Sequence, residues 1–252
     1  MKAPAMHAPA MAETNGSRLL LLACAWGVHL YTALGAVFGV LAIYYAGIGD
    51  YRASFIAMAV TIAIDSSDGT LARFFNVKMR VPGFDGALLD NIVDYLTYVV
   101  VPVYFAIHAG LVTGAIGFAV AGFVLIASAY QFCQTQAKTP DHFFLGFPSY
   151  WNLVVFYLYC LNWGVVANEI VLTIFGVMVF VPIKYIYPSR TRPLRSLTVT
   201  LGIVWGALTI AMLPSLPSVN PILLYLSLAY IAYYLIASFA LHARTLIAPR
   251  AG

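Results

Sequence analysis

Long apolar runs separated by short polar segments recur along the whole chain. Most runs reach about 20 residues, the length that an α-helix needs to cross the hydrocarbon core of a bilayer. Barrel strands would be shorter and would alternate apolar and polar residues. The pattern therefore predicts an all-α bundle of about eight transmembrane helices. The runs lie near 19–46, 51–74, 85–108, 112–135, 148–163, 165–183, 196–213 and 219–242.

The fifth and sixth runs form the ambiguous part of this pattern. Only Asn162, Trp163 and Gly164 separate them. They can be two full crossings, one broken hairpin or a single bent element. The rest of the chain contains no internal repeat and no soluble domain, so we predict three parts. These are a flexible N-terminal tail over 1–17, a single transmembrane domain over 18–245 and a C-terminal tail over 246–252.

Composition supports membrane insertion. Hydrophobic residues make up 62% of the chain and charged residues only 9%, against roughly 25% charged in an ordinary soluble domain. With eight spans, twelve of the 13 Lys and Arg residues fall on one side, and only Arg52 falls on the other. Basic residues concentrate in cytoplasmic loops. We therefore expect both termini in the cytoplasm, and we read the net charge of +4 as topology rather than as nucleic-acid binding.

Acidic residues are rare but clustered: five of the nine fall between 65 and 94. At helical spacing, two stripes form on consecutive spans, which we expect to be antiparallel neighbours. We expect the stripes to face each other at the cytoplasmic edge of the membrane. The first stripe holds Asp65, Asp68, Gly69, Ala72 and Arg73, and the second holds Gly86, Asp90 and Asp94.

Four carboxylates gathered in this way repel one another, and divalent cations remove the conflict. Oxygen ligands favour Mg²⁺ or Mn²⁺. Gly69 and Ala72 leave the helix face bare, so that a bulky group such as a nucleotide can approach, and Arg73 suits a phosphate or a nucleotide carbonyl. Two other readings stay open at this point. The acids are either polar contacts that associate helices, or the relay of a cation- or proton-coupled transporter, although a relay would spread acids through the membrane depth.

The acidic pattern resembles the signature of the CDP-alcohol phosphatidyltransferases, D-x2-D-G-x2-A-R followed by G-x3-D-x3-D. Every fixed position matches, from Asp65 to Arg73 and from Gly86 to Asp94. The spacer here has twelve residues where eight are common, and we expect it to lengthen a loop without moving either stripe. The resemblance implies a multi-pass enzyme of the bacterial inner membrane, a site that faces the cytoplasm, and a possible homodimer.

The resemblance also implies roles for the motif residues. Asp65, Asp68, Asp90 and Asp94 would bind two divalent cations, Mn²⁺ or Mg²⁺, and Asp94 would also be the general base for the acceptor alcohol. Asp65, Asp68 and the four motif residues that are not acidic would also contact the CDP group. These CDP contacts would be Asp65, Asp68, Gly69, Ala72, Arg73 and Gly86.

The longer spacer and the segments 132–159 and 181–192 are similar to the bacterial members that use choline as acceptor. This resemblance implies transfer of a phosphatidyl group from CDP-diacylglycerol to choline with release of CMP. Serine, inositol or glycerol phosphate are the alternative acceptors within the family. Aromatic faces bind quaternary ammonium groups, so we predict a choline cage among Tyr95, Tyr150, Trp151 and Tyr187. Lipid-phosphate contacts are predicted at Lys184, Arg190 and Arg192.

Overall fold

The computed structural model describes residues 15–247, and nearly all of the regular structure is helical. Within residues 15–247, six helical segments are long and apolar enough to cross a membrane, which makes the protein a multi-pass membrane protein. Two shorter apolar helices occupy the fifth and sixth apolar runs. The helices are α1 (Asn15–Gly47), α2 (Tyr51–Phe74), α3 (Val77–Arg80), α4 (Gly86–Asp94), α5 (Val101–His108), α6 (Gly114–Cys133), α7 (Trp151–Leu161), α8 (Val165–Met178), α9 (Arg195–Met212) and α10 (Pro221–Ile247).

The predicted tails lie mostly outside the described residues. The N-terminal tail was predicted to end at 17, whereas α1 begins at Asn15. The C-terminal tail was predicted to begin at 246, whereas α10 continues to Ile247. Differences of one to three residues are usual at helix ends, which fray.

The third span is one continuous helical rod with a π-helical middle. It runs through α4, a π-helix at Tyr95–Val100, and α5. Pro102 lies just after the π-helix and has no N–H to donate to the carbonyl four residues earlier. Hydrogen bonds here reach five residues back, as from the Val101 amide to the carbonyl of Leu96. π-Helical turns are rare in proteins, and those that do occur are often found at functional sites. This one directly follows Asp94.

The spacer between the two acidic stripes is packed rather than loose. Its middle forms the single turn α3, in which Val77 is buried. Val77 and Val81 pack against Ala25 and Val28 of α1. The stripe spacings stay helical on both sides, since α2 ends at Phe74 and α4 begins at Gly86. The additional residues therefore anchor the turn to α1.

Helix α7 has 11 residues and α8 has 14, which gives lengths of about 16 and 21 Å at 1.5 Å per residue. Both are shorter than the roughly 30 Å of a bilayer core. Two short antiparallel strands take over where these helices stop, β1 (Phe143–Leu145) and β2 (Lys184–Ile186). The strand pair satisfies backbone groups that would otherwise lack partners near the apolar layer.

Contacts between elements place the acidic stripes in the middle of one half of the bundle. Helix α1 packs along α2 and also against α4 and the π-helix. Helix α6 packs on α8, and α9 pairs with α10. Helix α10 in turn contacts β2. The strand pair thus connects the half that contains α9 and α10 to the half that carries the acidic residues.

Candidate active site

The two acidic stripes meet in the folded chain. Asp65 and Asp68 come from the last half of α2, and Asp90 comes from α4. One carboxylate oxygen from each of the three lies within 4.8 Å of the others. Opposite ligands of a Mg²⁺ ion are about 4.2 Å apart, because each bond is about 2.1 Å long. The carboxylates therefore fit a small divalent cation in both donor chemistry and spacing.

Asp94 lies beside this group rather than within it. It lines a cavity of about 250 Å³ together with Asp65 and Asp90. Asp94 is the last residue of α4, one helical turn after Asp90. The cavity therefore presents one carboxylate outside the three-carboxylate group, in a position to contact a second cation or a proton donor.

Hydroxyl groups from two other helices hold the carboxylates in place. The Thr32 hydroxyl on α1 donates a 2.8 Å hydrogen bond to Oδ2 of Asp68. The Tyr98 phenol donates a 2.6 Å bond to Oδ2 of Asp65. Both donors are buried. Partners of this kind fix the orientation of metal-ligating carboxylates.

Sequence reasoning gave neither hydroxyl a role. Tyr98 follows Asp94 by four residues, as Asp94 follows Asp90, so the helical spacing places Tyr98 on the same face as the two acids. Thr32 lies 36 residues before Asp68 on a helix without any motif, so it had no local signal.

The four predicted CDP contacts that are not acidic lie apart from the cavity lining, as far as the chain is described. Gly86 faces the imidazole of His29, and a Cβ added there would lie 2.6 Å from a ring carbon. Ala72 packs beside the α1–α3 cluster. Arg73 is exposed, and its guanidinium donates to the Thr70 hydroxyl at 2.9 Å. Gly86 thus allows α1 and α4 to approach closely. At Gly69, an added Cβ would have only the Arg73 side chain within 4 Å.

The opposite wall of the cavity comes from the segments around the strand pair. These segments contribute the Lys138 side chain and several aromatic rings. In the described chain, the Lys138 ammonium group has neither a hydrogen bond nor an ion pair. The aromatic lining consists of Tyr98, Phe132, Phe144, Tyr150 and Tyr187.

The structure brings only half of the predicted choline cage to this cavity. Tyr150 and Tyr187 line it, whereas Tyr95 and Trp151 do not. The Trp151 side chain is fully buried, and its indole N–H donates to the Ser128 hydroxyl at 2.6 Å. The Tyr95 phenol instead donates to the carbonyl of Leu125. We correct the predicted set accordingly: these two rings form part of the packing between helices.

The predicted lipid-phosphate residues lie in and after β2. The Lys184 ammonium group forms a 2.6 Å ion pair with Asp141. Partial burial alone would raise the pKa of Asp141, but the hydrogen bonds from Lys184 and Thr139 outweigh it and lower the pKa. The Arg190 guanidinium lies 5.8 Å from the centre of the Tyr187 ring. Arg190 and Arg192 are exposed. Lys184, in contrast, already has its charge neutralised by Asp141.

No family model matches the chain. Curated proteins do match it. The phosphatidylcholine synthase of Legionella pneumophila is 43% identical over 222 residues, which cover 85% of this chain and 87% of the relative. The one from Legionella bozemanae is 44% identical over 210 residues, with coverage of 81% and 95%. The one from Borreliella burgdorferi is 39% identical over 183 residues, with coverage of 73% and 78%.

The matches cover most of this chain and most of each relative. The resemblance predicted from the acidic motif is confirmed at the level of the family. The chain belongs to the phosphatidylcholine synthase family.

Proposed function

We propose that this protein is a phosphatidylcholine synthase, a phosphatidyltransferase that converts CDP-diacylglycerol and choline into phosphatidylcholine and CMP. One observation carries the proposal beyond family membership. Three carboxylates converge within 4.8 Å at the edge of a cavity that a fourth carboxylate also lines. Transfer of a phosphatidyl group from a diphosphate uses cations to offset the diphosphate charge and a proton acceptor for the alcohol. The three grouped carboxylates suit the cations, and the fourth suits the proton acceptor.

The bond changes follow from the two substrates. The choline oxygen forms a bond to the phosphorus that carries the diacylglycerol. The bond from that phosphorus to the bridging oxygen breaks, and CMP leaves with the bridging oxygen. The hydroxyl proton of choline goes to Asp94, which lines the cavity outside the three-carboxylate group. Positioned proton acceptors of this type contribute roughly 100- to 10,000-fold to rate.

We assign one divalent cation to Asp65, Asp68 and Asp90, and a second to the side of the cavity where Asp94 lies. Bound Mn²⁺ or Mg²⁺ would polarise the diphosphate and stabilise the charge on departing CMP. The protein's own part is to hold the ligands still, through Thr32 and Tyr98. Charges in the loaded site would balance. Two divalent ions, Lys138 and choline supply the positive charge, and the four carboxylates and the diphosphate supply an equal negative charge.

The nucleotide and the lipid phosphates require additional contacts. We retain Gly69, Ala72, Arg73 and Gly86 as proposed contacts of the CDP group, reached from the outer side of the acidic stripes. Arg190 and Arg192 are exposed and suit the lipid phosphates. Lys184 is paired with Asp141, so its proposed contact would require this pair to open. Lys138 is the better cation for the diphosphate because its ammonium group already lies at the cavity.

Topology completes the proposal. The pairing of β1 with β2 places the loop before α7 and the loop after α8 on the same side. This arrangement fits either no crossing or two crossings between them, and we propose that α7 and α8 both cross, for eight spans in all. Both termini and the active site would then face the cytoplasm of the bacterial inner membrane, where choline and CMP are soluble. A cysteine placed at Asn162 should react only with thiol reagents added from the periplasmic side.

A homodimer also remains a proposal. Crosslinking in intact membranes would test it.

Product formation tests the function directly. Protein purified in detergent would be mixed with CDP-diacylglycerol, Mn²⁺ or Mg²⁺, and choline, serine, inositol or glycerol phosphate in separate reactions. We expect CMP and phosphatidylcholine in equal amounts with choline alone. CMP release with another alcohol and none with choline would contradict the proposed acceptor. Absence of CMP release with every alcohol would contradict the proposed reaction.

A further inference from the structure

Three rings form a corner in the wall of the cavity that faces the carboxylates. Phe144 belongs to β1, Tyr187 follows β2, and Tyr150 precedes α7. The Phe144 and Tyr187 rings stack with centres 4.5 Å apart and planes at 26°. The Tyr150 ring stands at 87° to Phe144, with centres 6.2 Å apart. We call these three residues the aromatic corner, since two stacked rings meet a perpendicular third.

The corner is held rigidly. The strand register pairs Phe144 with Tyr185, whose side chain is fully buried. The Tyr187 amide donates a 2.8 Å hydrogen bond to the hydroxyl of buried Thr191. That hydroxyl in turn donates to the carbonyl of His142, just before β1. One side chain thus ties the ends of both strands together, and the rings need no reordering when a ligand binds.

The two walls of the cavity differ in chemistry. The wall with Asp65, Asp90 and Asp94 offers negative charge and proton acceptors, whereas the corner offers ring faces. A quaternary ammonium group has no hydrogen-bond donor and binds best to ring faces. The Arg190 guanidinium already lies over the Tyr187 ring, and the Tyr187 ring in turn stacks on Phe144. Of the three rings of the corner, all of which line the cavity, Phe144 and Tyr150 are the two without such a cation contact in the described chain.

Resting on the proposed function, we propose that Phe144 and Tyr150 bind the trimethylammonium group of choline, with Tyr187 stacked behind Phe144. The hydroxyl of choline, two carbons from the nitrogen, then points toward Asp94 on the opposite wall. The cavity of about 250 Å³ lies just below the roughly 300–1,000 Å³ of typical ligand pockets, which suits a small headgroup rather than a whole lipid. Acceptors without a quaternary ammonium group gain nothing from the corner, so it selects choline.

Substitution separates binding of choline from support of the fold. Phe144→Leu and Tyr150→Leu remove a ring and keep an apolar side chain. We expect the KM for choline to rise about tenfold or more in each, while kcat and the KM for CDP-diacylglycerol stay within about twofold. Tyr130→Leu is the matched control, because Tyr130 is an exposed aromatic residue on α6 that does not line this cavity. An unchanged KM for choline in both variants, or an equal rise in both KM values, would overturn the proposal.

A second measurement uses only the unaltered protein, in case the leucine variants fail to fold. Tetramethylammonium carries the cation without the hydroxyl, and dimethylbutanol has the shape of choline without its charge. Tetramethylammonium is expected to compete with choline and to inhibit at least about tenfold more strongly than the alcohol. Equal inhibition by both would overturn the proposal. If the unaltered protein makes no phosphatidylcholine at all, the proposed function is wrong. If it makes phosphatidylcholine but the leucine variants keep the same choline kinetics, only the choline site proposed here is wrong.

Discussion

The Tyr98 phenol donates a 2.6 Å hydrogen bond to Oδ2 of Asp65, and it does so from the π-helical turn that follows Asp94. This bond joins the third span to the carboxylates of the second. It also fixes one oxygen of Asp65, a member of the three-carboxylate group. The irregular turn and the acidic site are therefore parts of one arrangement.

The change Tyr98→Phe should weaken the binding of the divalent cation while the fold stays intact. Loss of such a supporting partner typically costs about 10- to 100-fold in metal affinity or activity. The measurement is the Mn²⁺ concentration that gives half-maximal CMP release. Tyr95→Phe is the control, because its phenol donates to the carbonyl of Leu125 outside the cavity. Equal metal requirements in both variants would show that the Tyr98 bond does not orient Asp65.

Thr32 makes the corresponding contact to Asp68 from α1. We expect Thr32→Val to raise the Mn²⁺ requirement about tenfold, and Thr32→Ser to restore most of the loss because the hydroxyl is kept. Thr61→Val provides the matched control, since Thr61 is equally buried and its hydroxyl bonds only within α2, to the carbonyl of Met58. If Thr32→Val and Thr61→Val lose the same activity without a change in metal requirement, the effect belongs to helix packing.

Asp94 and Asp90 should fail in different ways. We expect Asp94→Asn to lower kcat roughly 100- to 10,000-fold through loss of the proton acceptor. Binding of CDP-diacylglycerol should be weakened less than in Asp90→Asn, because the three-carboxylate group and the cation assigned to it remain. Asp90→Asn removes a member of that group, so it should weaken binding of the cation and of the diphosphate together. Equilibrium binding of labelled CDP-diacylglycerol with Mn²⁺ distinguishes them, and equal loss of binding in both variants would contradict the base assignment.

The acidic part of the site was predictable because helical spacing is a local property. Asp65 and Asp68 share a face by their separation alone, and so do Asp90 and Asp94. A short connection between two spans then brings the faces together. Thr32 and the ring of Phe144 carry no such signal, since their positions depend on which distant helix or strand packs beside the motif. Tyr98 lies between these cases: its spacing fits the stripe, but its bond to Asp65 depends on the irregular turn.

The fold shows the same division. Apolar length located the helices, but it overestimated those at 148–163 and 165–183. The observed helices are α7 (Trp151–Leu161) and α8 (Val165–Met178), and the paired strands Phe143–Leu145 and Lys184–Ile186 lie just outside the two predicted runs. Strands of three residues give almost no periodic signal, and their partners are about 40 residues apart. Pro148 and Pro182 mark these helix boundaries in the sequence, yet proline alone does not reveal that the flanking segments pair.

Lys138 and Lys184 should contribute unequally to binding of CDP-diacylglycerol. Lys138 lines the cavity, whereas the Lys184 ammonium group is held by Asp141. Lys138→Met should raise the KM for CDP-diacylglycerol about tenfold or more, in line with loss of a charged hydrogen bond. Lys184→Met is expected to change it less than about threefold, because exposed ion pairs are worth about 1 kcal/mol or less. A larger effect at Lys184 would reassign the phosphate contact to that residue.

Gly146 should be indispensable to the strand pair that carries the aromatic corner. Its φ is +80°, and an added Cβ would lie 2.3 Å from the carbonyl oxygen of Val179. Its amide also donates to the carbonyl of Ile183 at 2.9 Å, so the turn cannot shift away without losing that bond. Gly146→Ala should lower stability by roughly 2–5 kcal/mol, from backbone strain and overlap combined. Gly122→Ala is the control, since Gly122 lies within α6 and nothing approaches its Cβ position within 4 Å. The half-time of thermal inactivation in detergent measures both, and equal half-times would mean that the backbone just after β1 tolerates a side chain and is not fixed as described.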